Sequence, residues 1–206
     1  RNGIPPLENQ EFLWAKWASN DRIIAGVRFA YMNTLDTYGG LYVFGTTETR
    51  LISMDWAGDD PVNPIRLNPK RSRQSQIQDR VIDLLKDDPK HILVQLDYHE
   101  QFEPGVYKVD ITKTLKPKKI VNGRRQIDSW ETDHNNVVRF GDGTSDRRGS
   151  NAMRYVAYYR PKEGDDWNTL FDIDMIKVEV PFEFAGFSTN PNVIYVIKND
   201  EKSKFK

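Results

Sequence analysis

The segment Gly143-Thr144-Ser145-Asp146-Arg147-Arg148-Gly149 is the closest approach in this sequence to a site for nucleophilic catalysis. A serine nucleophile needs the spacing Gly-x-Ser-x-Gly, because the serine must sit on a strained turn between a strand and a helix. Here the second glycine comes two positions late, and no strong helical pattern follows. Cysteine is absent, which also excludes a thiol nucleophile and a thiolate zinc site. We therefore interpret the segment as a polar loop and assign no catalytic residue.

The histidines and one acidic segment are the candidate metal ligands. Zinc needs three or four converging side chains. His91 and His134 each lie in an expected hairpin turn, and the acidic neighbours of His99 alternate across a strand end, so that they diverge. Residues 142–146 (DGTSD) offer oxygen ligands but lack the spaced acidic series and terminal Glu of a calcium loop. We expect polar turns at all of these positions, and neither a metal nor a cofactor.

Arg124 and Arg125 are the residues best suited to binding a substrate. A guanidinium group presents a rigid fork of donors that matches a carboxylate or a carbonyl oxygen. The pair follows Gly123, at the expected start of a strand. One interpretation is that these arginines hold one end of a peptide. The other, which stays open, is a salt bridge to a neighbouring part of the fold.

The balance of charges argues against nucleic acid as a partner. The chain has 30 Lys and Arg and 30 Asp and Glu, whereas binding to phosphates calls for a basic excess. The most basic stretch, 66–80, contains no aromatic side chain on which bases could stack. We interpret it as a solvated loop, with docking on an acidic partner domain as the alternative.

The elements that must position these residues are strands. Alternating apolar and polar residues predict strands at 22–30, 41–44, 50–54, 92–96, 105–110, 118–121, 137–140, 153–159, 175–180 and 193–197. Residues 74–85 have helical spacing, but we predict a loop through Gln78 and then a strand. Residues 59–76 read as a long connection. No apolar run approaches the ~20 residues of a transmembrane helix, and no signal peptide is visible.

Four segments repeat one pattern, in which a large apolar anchor precedes a polar turn and then an apolar pair. The anchors are Trp17, Leu85, Trp130 and Phe187. Leu85 and Trp130 are about 45 residues apart, the repeat length of a four-stranded propeller blade. We therefore predict an all-β fold with buried Trp17 and Trp130: a partial β-propeller of three to four antiparallel four-stranded blades. Residues 1–206 would form one incomplete propeller domain, with units at 12–57, 79–121, 124–173 and 179–206.

The repeated segments resemble the N-terminal β-propeller of bacterial members of the prolyl oligopeptidase family. Trp17-Ala18-Ser19-Asn20-Asp21 is similar to the Trp-Ser-Pro-Asp-Gly hairpin of such propellers, and the resemblance extends over roughly residues 11–200. Further matching pieces are the segment 76–94, Gly105-Val106-Tyr107-Lys108-Val109-Asp110, Gly123-Arg124-Arg125 and Trp130-Glu131-Thr132-Asp133-His134. The resemblance implies a serine peptidase, either an oligopeptidase or a dipeptidyl peptidase, whose C-terminal α/β-hydrolase domain lies outside this chain.

The function that the resemblance implies is that of a non-catalytic gate, which screens short peptides before they reach the hydrolase domain. No position here matches the family's catalytic Ser, Asp and His, so we expect this segment alone to be inactive. Its partners would be the hydrolase domain of the same parent chain and the peptide. A periplasmic or secreted location is favoured over a cytoplasmic one. The alternative is a free-standing propeller that binds a protein or a carbohydrate, the latter through exposed tryptophans.

Overall fold

The computed structural model describes residues 10–37, 40–70, 74–146, 153–180 and 182–198, which form strands and no helix. The prediction of an all-β fold is confirmed, and strand pairs in all four sheets run antiparallel. The strands are β1 (Gln10–Trp17), β2 (Arg22–Thr37), β3 (Gly40–Asp55), β4 (Val81–Asp83), β5 (His91–Leu96), β6 (Gly105–Asp110), β7 (Lys118–Val121), β8 (Ser129–Thr132), β9 (Val138–Asp146), β10 (Met153–Tyr159), β11 (Asn168–Asp174), β12 (Glu183–Phe187) and β13 (Ile194–Ile197).

The first of two compact units comprises Arg1–Gln101 and Gly105–Ile120. It contains the three-stranded sheet β1-β2-β3 and the sheet β4-β5-β6-β7, in which neighbouring strands are also consecutive in the chain. Strand β5 is buried on both faces, which explains why its sequence is an almost unbroken apolar run. The core is formed by Ile24, Leu51, Ile65, Ile92, Val94, Leu96, Tyr98, Tyr107, Val109 and Ile111.

Strand β3 corrects the expectation of two separate strands at 41–44 and 50–54. It runs without interruption for 16 residues and pairs along its whole length with β2, from Thr37↔Gly40 to Arg22↔Asp55. The stretch between the two predicted strands contains Thr46, Thr47 and Thr49, whose β-branched side chains favour extended backbone over a turn.

The second unit comprises Phe102–Pro104 and Val121–Lys206. Its strands form the sheet β11-β10-β9-β8 and the two-stranded sheet β12-β13. Trp130 on β8 is fully buried, as predicted, and its Nε1 donates a hydrogen bond to the carbonyl oxygen of Pro104 at 2.7 Å. The ring lies over Gly141 of β9, where a Cβ atom would be 2.5 Å from the indole. Phe140, Tyr155 and Ala157 are buried in a separate cluster of this unit.

The prediction that Trp17 is buried is wrong. Its side chain is 58% exposed, while Trp14 is partly buried and donates from Nε1 to Asp79 Oδ2 at 2.9 Å. Residues three apart on a strand point to opposite faces, so only one of these tryptophans can face the core. The anchor pattern therefore identifies buried residues at Leu85 and Trp130 but not at Trp17.

Two further local predictions are wrong. Residues 175–180 form no strand: 175–178 form a turn, and 179–180 are irregular. Asp174 Oδ1 accepts a hydrogen bond from the Ile176 N–H at 3.0 Å, and the Asp174 carbonyl accepts from Lys177 and Val178. Residues 142–146 belong to strand β9 rather than to a turn.

The connection after β3 agrees with its prediction. No strand occurs in the described residues between Asp55 and Val81, and the segment 74–80 is a loop that leads into β4. A parallel bridge between Ile65 and Leu115 fixes part of this connection. In the part of the chain that the structure describes, no helix has the length and apolar character needed to cross a membrane. The assignment of the sheets to propeller blades, with the boundaries given above, stays a prediction.

Candidate functional site

Arg124 and Arg125 lie in the loop between β7 and β8, not at the start of a strand as the sequence suggested. A turn is closed by the Ile127 N–H, which donates to the carbonyl oxygen of Arg124 at 3.1 Å. Asp128 fastens the loop to β9, because its Oδ2 accepts from the Thr144 N–H at 2.8 Å. The position of Arg124 is thus set by contacts on both sides of the turn.

Gly143 of β9 is the residue that lets this loop approach the sheet. A Cβ atom at this position would be 2.4 Å from the carbonyl oxygen of Gln126 and 2.4 Å from the backbone nitrogen of Asp128. Any side chain would displace the loop, because both contacts are with backbone atoms. The glycine-rich sequence that suggested a turn therefore marks a strand covered closely by another segment.

The Arg124 guanidinium stacks on Tyr158 of β10, with Cζ 4.8 Å from the ring centroid. The Tyr158 hydroxyl in turn donates to Gln126 Oε1 at 3.2 Å, which ties the ring to the same loop. Among the described residues, no carboxylate forms an ion pair with Arg124. Arg124 is half-buried and Arg125 is exposed. Stacking on Tyr158 therefore fixes the position of the Arg124 guanidinium, whose N–H groups can still donate to a carboxylate or a carbonyl oxygen of a ligand.

His91 is part of a charge cluster on the first unit. Its Nδ1 lies 2.8 Å from Asp88 Oδ1, and Lys108 Nζ lies 2.6 Å from Asp88 Oδ2. Hydrogen bonds from Lys108 and His91 lower the pKa of Asp88 to about 2. These contacts account for His91 as a structural residue of the β4–β7 sheet.

The other two histidines also have protein partners. His99 Nδ1 lies 2.7 Å from the Tyr107 hydroxyl, and the two rings stack. His134 Nε2 lies 3.0 Å from the carbonyl oxygen of Phe187. Within the described ranges, no group of three or more His, Cys, Asp and Glu residues is placed to hold a metal ion.

A second site, which sequence reasoning missed, contains two buried arginines of the second unit. Arg139 lies within β9 and Arg160 directly follows β10, and they are 5% and 8% exposed. Arg139 Nη1 is 3.4 Å from Asp133 Oδ2, and its Nη2 donates to Asn192 Oδ1 at 2.9 Å. The available signal was a charged residue inside an apolar run, in VVRF and in YVAYYRP.

Arg160 has a different environment from Arg139. Its Nε donates to the carbonyl oxygen of Val138 at 2.7 Å, and its Cζ lies 4.8 Å from the centroid of the Trp167 ring. No carboxylate of the described residues forms an ion pair with it. Burial lowers the pKa of Arg160, and the charge of Arg139 acts in the same direction, against Glu163 and Asp165.

Both arginines line a cavity of about 330 Å³ in the second unit. The remaining lining is mainly apolar and includes Phe140, Tyr159, Pro161, Leu170, Phe187, Pro191 and Ile194. A cavity with these walls and a cationic end is chemically suited to a ligand that is itself part apolar and part anionic.

Comparisons of the chain with known protein families, with characterised proteins and with solved structures give no match.

Proposed function

We propose that this chain is the non-catalytic propeller region of a serine peptidase of the prolyl oligopeptidase family, where it screens short peptides. The observation that carries the proposal is the pair of consecutive four-stranded sheets, β4–β7 and β8–β11. In each of them, neighbours in the sheet are neighbours in the chain. Propeller blades are four-stranded sheets that repeat along the chain in this way.

Arg124 is the residue that we propose to hold one end of the peptide. Stacking on Tyr158 restricts the side chain before a ligand arrives, which lowers the entropic cost of binding. A guanidinium binds a carboxylate through charge-assisted hydrogen bonds, which are stronger than neutral ones. Holding one end of a short substrate raises its effective concentration at a nucleophile on the hydrolase domain.

The test uses the natural full-length protein, whose reading frame should contain a Gly-x-Ser-x-Gly elbow. We expect it to hydrolyse short peptide amides, with sensitivity to serine-directed inhibitors, while residues 1–206 alone hydrolyse none. Arg124→Gln should raise KM about 10- to 100-fold, the worth of a charged hydrogen bond. Lys177→Gln removes an exposed cation and is the control. A full-length protein without an elbow or peptidase activity would overturn the proposal.

A free-standing carbohydrate-binding module is the second candidate, and two exposed tryptophans favour it. Trp17 and Trp56 are 58% and 69% exposed. Both lie at the same end of the β1-β2-β3 sheet. Trp17 pairs with Ile23 near the start of β2, and the Trp56 N–H donates to the carbonyl oxygen of Asp21, directly before β2. Quenching of tryptophan fluorescence by soluble polysaccharides, lost in both Trp17→Ala and Trp56→Ala, would support this candidate.

A further inference from the structure

Arg160, which lines the cavity, forms no ion pair with any carboxylate of the described residues. Arg139 is paired with Asp133, whose side chain is 3% exposed, so that this pair is neutral. Arg160 is more than nine-tenths buried, and its side chain donates one hydrogen bond, from Nε to a backbone carbonyl. A buried charge without a partner is costly, and an anion bound beside it would reduce that cost.

The terminal nitrogens of Arg160 reach solvent. The only buried side-chain polar atom without a partner in the described residues is Gln78 Oε1. The Arg160 Nη atoms, which donate to no described residue, therefore keep accessible surface, and Arg160 is one of the residues that line the cavity. These nitrogens form a planar fork that fits a carboxylate.

The orientation of this fork is already fixed. The bond from Nε to Val138 and the stacking on Trp167 hold the guanidinium from its side and from one face. Neighbouring acidic residues do not neutralise it directly. Asp165 lies 3.9 Å from Lys162, and Glu163 is exposed, and neither forms an ion pair with Arg160.

The walls of the cavity define the rest of the ligand. Phe140, Leu170, Phe187 and Ile194 offer apolar surface next to the cationic end. The volume of about 330 Å³ lies at the lower end of the range for small-molecule sites, which is roughly 300–1,000 Å³. A small hydrated anion such as phosphate would leave this apolar surface unused, whereas an organic acid would cover it.

We propose that this cavity binds a small organic carboxylate with an apolar body, its carboxylate on Arg160 and its body against Phe187 and Leu170. The C-terminal residue of a peptide and a free aromatic or aliphatic acid share this chemistry. The site is distinct from Arg124, and the proposal does not depend on the assignment to a peptidase.

The test is a titration of the 206-residue chain with N-acetylphenylalanine and with its neutral amide, followed by NMR shifts of the backbone amides. We expect the acid to bind at least about tenfold more tightly than the amide, since only the acid can form the charged hydrogen bonds. Tighter binding of N-acetylphenylalanine than of 3-phenylpropionate would identify a peptide terminus as the source, and the reverse would identify a free acid.

Two test variants and one control make the experiment decisive. Arg160→Gln should abolish the preference for the acid, whereas Lys177→Gln, which removes an exposed cation of the same unit, should leave it unchanged. Asn192→Asp is a second test that does not depend on the folding of Arg160→Gln. It keeps the side-chain shape and places a carboxylate against Arg139 Nη2. It should weaken binding of the acid and preserve the melting temperature. Equal binding of acid and amide, no binding of the acid, or an unchanged preference for the acid in Arg160→Gln or in Asn192→Asp would overturn the proposal.

Discussion

Arg139 Nε donates a hydrogen bond to the carbonyl oxygen of Arg160 at 3.1 Å, and the Arg160 N–H donates back to the carbonyl oxygen of Arg139 at 3.0 Å. Backbone carbonyl oxygens of Arg160 and of Val138 thus accept hydrogen bonds from the two neighbouring guanidinium groups. The arrangement leaves the Asp133 carboxylate as the ion-pair partner of Arg139, so its charge should matter more than that of an exposed carboxylate.

The first prediction concerns this charge. Asp133→Asn should lower the free energy of unfolding by about 3 kcal/mol or more, because it leaves the buried Arg139 charge without compensation. Asp172→Asn is the matched control, since Asp172 pairs with Arg154 at 2.5 Å but is 44% exposed, and it should cost no more than about 1 kcal/mol. Urea denaturation measures both. Similar losses in the two variants would contradict the prediction.

The second prediction separates two tryptophans that the repeat treats as equivalent. Trp130→Ala should cost about 3–5 kcal/mol, since it empties a fully buried site and removes the bond to Pro104. Trp17→Ala should cost no more than about 1 kcal/mol, because the ring is mainly exposed. Thermal and urea unfolding of both variants provides the measurement, and a larger loss for Trp17→Ala would refute this assignment of the core.

The third prediction tests the close contact between Gly143 and the Arg124 loop. Gly143→Ala should displace the loop and cost about 1–3 kcal/mol, because the new methyl group overlaps with backbone atoms of Gln126 and Asp128. Amide NMR shifts should change at residues 124–128. Gly164→Ala is the control, because its Cβ would have no neighbour within 4 Å. Its φ of +85° strains the backbone of the alanine variant, but only at that turn and not at residues 124–128. Unchanged shifts at 124–128 would show that the loop does not depend on Gly143.

The fourth prediction follows from the lowered pKa of Asp88. Because the pKa falls from 3.8 to about 2 on folding, the carboxylate stabilises the protein above pH 3.8, and this contribution is lost as the pH falls towards 2. The pair is about one-third exposed, so we expect about 0.5–1 kcal/mol. Lys108→Met should raise the pKa in a ¹³C NMR titration of the Asp88 carboxyl group. A pKa that stays near 2 in this variant would exclude Lys108 as the main cause.

The fifth prediction concerns the two-stranded sheet β12-β13. Tyr195 and Ile197 are 61% and 56% exposed, whereas Ile92 and Val94 of β5 are fully buried. Two strands alone are marginally stable in water, so hydrogen exchange at Ile194–Ile197 should be at least about tenfold faster than at His91–Leu96. Equal exchange rates at the two sets of residues would contradict the prediction, because the β12-β13 hairpin would then be as stable as the β4–β7 sheet.

The sequence predicted those strands whose signals are local. The apolar run of β5 and the alternation of β6 lie between clear turns, and both strands form where expected. The strand prediction for 175–180 is wrong although apolar and polar residues do alternate there. Asp174 Oδ1 accepts a hydrogen bond from the backbone N–H of Ile176, which favours a turn. Alternation indicates which side chains could share one face of a strand. It does not indicate whether a nearby side chain competes for the backbone N–H groups that the strand needs.

The sites depended on contacts that are distant in the chain. Trp14, rather than Trp17, packs against the core, and its indole donates a hydrogen bond to Asp79, a residue of another segment. The Arg139 and Arg160 site needs the pairing of β9 with β10 and the approach of Asn192, which no local pattern contains. Arg124 was identified by its residue type and by its place after Gly123, whereas its contact with Tyr158 comes from the fold.

The chain order of the strands also has a consequence for synthesis on the ribosome. All partners of the β4–β7 sheet lie between Val81 and Val121, and all partners of the β8–β11 sheet lie between Ser129 and Asp174. At about 5–20 residues per second, each sheet emerges within roughly 2 to 9 seconds. The β4–β7 sheet can therefore begin to pair its strands before the β8–β11 sheet has fully emerged, which shortens the time for which unpaired strand edges are open to aggregation.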